Sequence, residues 1–84
     1  MIQSADTRAL STLNAGESCW VAAIELNGLL RRRILDMGMV PGTVVECVRR
    51  SPAGDPIAFK VRDSIIALRH DDASNIKVHI ANKF

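Results

Sequence analysis

The chain has 84 residues, 48% hydrophobic and 24% charged, and eleven Lys and Arg against nine Asp and Glu give a formal net charge of +2. It is too apolar for a disordered protein and too short for several domains, so residues 1–84 are expected to form a single small globular domain. The interspersed charge permits an anionic partner without demanding one, and no apolar run nears the roughly eighteen residues of a spanning helix.

The opening MIQSADTRAL lacks the basic start and apolar stretch of a secretory leader. Residues 1 to 8 are polar and expected to be loosely ordered, with Leu10 and Leu13 leading to a turn at NAGES. SCWVAAIEL reads as a strand because its β-branched, aromatic and small residues suit a partly buried sheet. In NGLLRRRILDMG, Leu26, Leu30, Ile34 and Met37 recur at helical spacing and draw one apolar stripe. Gly38 follows the last periodic residue, where a left-handed cap is commonly needed, and Pro41-Gly42 suits the centre of a type II turn.

From Thr43 the period changes to two. TVVECVRR, IAFKVRD and NIKVHIA place their residues alternately on two faces, SIIALR follows almost immediately, and 57–69 reads as a tight hairpin around Asp63-Ser64. DDASNI is expected to form a single helical turn capped by Asp71 or Asp72. About five short strands with one helix after the first imply a mainly β, SH3-like barrel. An OB-like barrel is the nearest competitor, disfavoured because its helix usually sits between later strands.

Chemistry is sparse. Cys19 and Cys47 have no CxxC spacing, and free thiols in a cytoplasmic protein are expected. Cys47 should be a core residue, and Cys19, near a strand start, partly exposed. His70 precedes Asp71 and Asp72, but adjacent side chains rarely converge on one ion; His79 alternates with Val78 and Ile80 and should face solvent. Cys19, Cys47, His70 and His79 are the candidate ligands for a transition ion such as Fe2+ or Zn2+, although no motif groups them. No nucleophile–base pair, GxGxxG or Walker spacing is present, so no enzyme and no obligatory cofactor is expected. Arg31, Arg32 and Arg33 fan around the helix, and aromatic residues are too few for a nucleic-acid platform. Arg31, Arg32 and Met39 are the candidates for partner contact, charge and a pliable apolar side chain facing outward there.

Three fragments, LLRRRILDMGMVPGT, VRRSPAGDPIAFKVR and IIALRHDDASNIKV, together resemble the FeoA family of small proteins that accompany bacterial ferrous-iron uptake. The likeness covers about residues 10 to 80. Its matched positions are Arg31, Arg33, Leu35, Gly38, Pro41, Gly42, Pro52, Gly54, Asp55, Pro56, Leu68 and Arg69. Of these, Gly38, Pro41, Gly42, Gly54 and Pro56 read as residues that fix two corners, and Asp55 as a cap for donors in its own turn. Ala53 stands where the family usually has Leu, so that corner is the second candidate docking point, with Asp55. The resemblance implies an SH3-like, non-enzymatic accessory protein, cytoplasmic or peripheral to the inner membrane. Its implied partner is FeoB, the membrane ferrous-iron transporter with a cytoplasmic GTPase part. The alternative it implies is a metal-sensing domain related to the C-terminal part of metal-dependent repressors. Homo-oligomerisation is left open.

Overall fold

The computed structural model describes residues 7–80. Six strands, β1 (Thr7–Ala9), β2 (Ser18–Ile24), β3 (Val44–Arg50), β4 (Ile57–Val61), β5 (Ser64–Leu68) and β6 (Ile76–Ile80), form one antiparallel sheet in the order β1-β6-β2-β3-β4-β5. Helix α1 (Gly28–Asp36) joins β2 to β3, and the single turn α2 (His70–Ala73) joins β5 to β6. A 3-10 turn, Leu10–Thr12, follows β1. No helix in this region is long and apolar enough to cross a membrane.

The period-two segments become strands because their apolar positions face inward. Cys19 and Val21, Val45 and Cys47, Ile57, Phe59 and Val61, Ile66 and Leu68, and Ile76 and Val78 are all buried in one cluster. One cluster fed by five strands requires the sheet to curl around it. Bulges supply part of that curl, since an unpaired residue bends a strand and raises its twist. The register shifts between Val21 and Ala23 on β2, and between Cys47 and Arg49 on β3. Leu10 and Leu13 from the 3-10 turn and Ile34 from α1 complete the core, all nearly inaccessible to solvent.

Four expectations are corrected. Six strands are present, not five, so the helix follows the second strand. The extra one, β1, pairs Thr7 with His79 and Arg8 with Val78. A short edge strand is held by backbone bonds and needs no apolar alternation, so its polar sequence hid it. The rest of the segment expected to be loose, residues 1–6, lies outside the described residues. The hairpin loop is Arg62-Asp63, because Ser64 already pairs with Val61. Arg62 takes the left-handed φ of +56° at the first loop position. Finally, α2 has Arg69 at its N-cap position, and its own aspartates do not cap it. The His70 N–H donates to Asp55 Oδ1 at 2.9 Å, so the cap arrives from fifteen residues upstream.

Candidate functional site: the arginine helix and its corner

The turn from α1 into β3 is built by backbone chemistry. Gly38 N–H donates to Leu35 O at 3.0 Å and Met39 N–H to Ile34 O at 3.1 Å. These paired bonds form a Schellman cap, which needs a left-handed residue, and Gly38 supplies φ +100°. The motif also brings the residue after the glycine onto the last helical turn. Met39 therefore joins Ile34 in the core at 0% exposure. This overturns Met39 as a partner contact. Met37, expected on the buried stripe, is instead the C-cap residue and is 37% exposed.

Beyond the cap, Thr43 N–H donates to Val40 O at 2.9 Å across Pro41-Gly42, with Gly42 at φ +94°. That is the expected type II geometry. Thr43 Oγ1 donates to Gly38 O at 3.0 Å, tying the turn to the cap. The Gly42 N–H reaches Val21 O at 2.8 Å, which fixes the corner to β2. Arg62 comes over from the hairpin and lies on Gly38.

The corner holds α1 with Ile34 inward and its arginines outward. Arg31, Arg32 and Arg33 are all exposed. Leu29 stands among them at 80% exposure. A shallow depression on this face is lined by Gly28, Leu29, Arg31, Arg32, Leu35 and Asp36. Leu29 was not among the sequence candidates. The available signal was its position one residue before Leu30, off the buried stripe and on the face shared with Arg32, Arg33 and Asp36. An exposed apolar side chain in a depression lined by two arginines and Asp36 can dock against a surface that offers a small apolar recess and complementary charge.

Ala53 and Asp55 lie elsewhere. Their corner precedes Ile57, whereas Arg62 at the other end of β4 touches Gly38. The two corners thus flank a strand about 16 Å long. Ala53 is exposed. Asp55 acts on α2 rather than in its own turn, where Gly54 N–H donates to Ser51 O at 2.7 Å and the peptide bond before Pro56 is cis.

The four sulfur and imidazole candidates are not gathered. Cys19 and Cys47 are both buried, and Cys19 is not partly exposed as expected. Burial pushes the Cys19 thiol up to about 12, with nearby Cys47 adding to it, and burial likewise raises Cys47. Burial thus disfavours the thiolate at both positions. His70 is exposed on α2. His79 lies on the outer face as expected, on the side opposite buried Val78, and is half-buried there with its ring 4.3 Å from that of exposed Trp20. Among the described residues no three His, Cys, Asp or Glu side chains group to hold a metal ion.

Comparison with known proteins places this arrangement. A family model described as the FeoA domain matches residues 8–80. The chain is 35% identical over 71 residues to an Fe(2+) transport protein A/Fe(2+) transporter FeoB fusion protein of Porphyromonas gingivalis. That match covers 84% of this chain and 8% of the fusion protein. The solution structure of FeoA from Chlorobium tepidum superposes with a TM-score of 0.84 at 34% identity, covering 88% of this chain and 70% of that one. The crystal structure of Stenotrophomonas maltophilia FeoA, described as an SH3 domain protein and complexed with zinc, has a TM-score of 0.72 at 30% identity over 82% of this chain and 86% of that one. The expected SH3-like class therefore holds. A manganese-dependent transcriptional repressor shares the fold alone, with a TM-score of 0.78 at 18% identity over 89% of this chain and 42% of the repressor.

Proposed function

The chain belongs to the FeoA domain family, and we propose that it is a non-enzymatic accessory protein of bacterial ferrous-iron uptake that binds the cytoplasmic GTPase part of a FeoB-type transporter. The observation that carries this is the fusion protein, in which a segment similar to this chain shares one polypeptide with the transporter. Sharing a polypeptide with the transporter supports a direct contact between a domain of this kind and the transporter's cytoplasmic part. This chain then works in the cytoplasm, at the membrane only through its partner, as one domain over residues 1–84. The exposed face of α1 supports the docking reading, since Leu29, Arg31 and Arg32 combine an apolar anchor with fixed positive charge. Ala53 is retained as a secondary contact because it is exposed at the second corner.

A binding assay between this chain and the GTPase domain of its cognate transporter tests the reading, in both nucleotide states. Leu29→Asp and the pair Arg31→Glu/Arg32→Glu are each expected to weaken binding by at least about tenfold. Equal binding by both variants removes α1 as the docking face. Absence of binding by the wild type with either nucleotide removes the partner.

The zinc complex of the Stenotrophomonas relative favours a second reading, a metal-responsive domain. Cys19, Cys47, His70 and His79 are the residues to replace in an Fe2+ or Zn2+ titration. Unchanged affinity in the fourfold variant rejects them as the site.

A further inference from the structure

Strand β5 ends the strand order and pairs with β4 alone among the described residues. In a two-residue hairpin the pair flanking the loop, here Val61 and Ser64, exchanges both backbone bonds, and bonded pairs then alternate along the ladder. Ser64, Ile66 and Leu68 thus bond β4. The N–H and C=O groups of Ile65 and Ala67 turn away from β4, to the side where no strand among the described residues pairs.

Such edges are normally blunted by a lysine, a proline, a bulge or an inward charge. β5 reads Ser-Ile-Ile-Ala-Leu and has none of these, and its register against β4 runs unbroken from Ser64 to Leu68. Ile66 and Leu68 are buried on the core side, while Ile65 on the outer face is 57% exposed and Ala67 beside it is exposed. Just outside the strand stand Asp63 at one end and Arg69 at the other, both exposed.

These features fit one occupant, a second copy of β5 running antiparallel. With a two-fold axis at Ile66, Ile65 falls opposite Ala67 of the second copy, and Ala67 opposite its Ile65. Each is a bonded pair that exchanges two backbone bonds. The large side chain packs over the small one, twice. The same register sets Asp63 against Arg69 of the other copy at both ends. A parallel arrangement instead places like charges together and loses the Ile–Ala fit. We infer that this chain self-associates through β5, joining two sheets edge to edge across a two-fold axis at Ile66. The contact is small, so the association is weak and concentration-dependent.

Sedimentation equilibrium of the full chain, from about 10 µM to about 1 mM, tests this. The wild type is expected to move from monomer to dimer across that range. Asp63→Arg or Arg69→Asp alone should weaken the dimer at least about tenfold, and the two together should restore it to within about threefold. Ile65→Lys should give a monomer with an unchanged circular dichroism spectrum, which separates lost pairing from lost folding. A wild type that stays monomeric at about 1 mM overturns the inference, whether or not the edge accepts a strand from another protein. So does a dimer indifferent to Ile65→Lys, or one that the double charge swap fails to restore.

Discussion

Gly38 does two things at one position. It supplies the φ of +100° that ends α1, and it leaves room for the Arg62 side chain that crosses it. A Cβ built there lies 2.7 Å from both Cδ and Nε of Arg62. The two costs of an alanine differ in kind, because a flexible side chain can move aside and a left-handed backbone cannot. Gly38→Ala is expected to lower stability by about 1–2 kcal/mol in urea unfolding. Most of that loss should persist in an Arg62→Ala background. Disappearance of the loss there would show that the steric contact, not the backbone, governs the position. Met39 next door teaches the same lesson from the other side. Its neighbours in sequence are a helix stop and a turn, which suggested an exposed loop residue. The Schellman bonds instead fold it back onto Ile34.

Among the elements, β3 shows how one extra residue redirects a side chain. Strict alternation from Val45 and Cys47 would leave Arg50 outward with Val44, Glu46 and Val48. The bulge between Cys47 and Arg49 shifts the phase, and Arg50 pairs with Ile57, a core-facing position. Its guanidinium Nη1 then donates to Ser11 O at 3.0 Å and Leu13 O at 2.7 Å. The basic pair Arg49-Arg50 therefore divides, Arg49 remaining exposed and Arg50 holding the 3-10 turn that delivers Leu10 and Leu13 to the core. Arg50→Leu leaves two part-buried carbonyls without this donor and is expected to cost about 1.5–3 kcal/mol in urea unfolding. Arg49→Leu, on the outer face, should change stability by less than about 0.5 kcal/mol.

At the scale of the whole molecule, the sheet and the corner together present α1 as an outward face with a mixed character. The two kinds of group on it should separate in kinetics. Arg31 and Arg32 are exposed, and such charges act mainly on encounter, so on the proposed function Arg31→Glu/Arg32→Glu should slow association with the GTPase domain and flatten its salt dependence. On the same proposal an apolar anchor acts after contact, so Leu29→Asp should chiefly speed dissociation. Surface-based kinetics at two ionic strengths resolve these outcomes, and an off-rate unchanged by Leu29→Asp would remove it as the anchor.

What the linear chain determined is what short-range rules govern. The helical spacing of Leu30 and Ile34, the glycine stop at Gly38, the Pro41-Gly42 turn and the period-two strands are local patterns, and their order was distinctive enough to place the family; Leu26, expected on the same stripe, lies before the helix, whose N-cap is Asn27. Tertiary structure decided what local patterns do not encode. It paired a polar β1 through its backbone, slipped β3 by one residue, sent Asp55 to cap a helix fifteen residues away and seated Trp20 against His79. The candidate site divided the same way. The arginines were legible because exposed charge advertises itself in composition, whereas the burial of Met39 and the exposure of Leu29 depend on which side of α1 the fold covers.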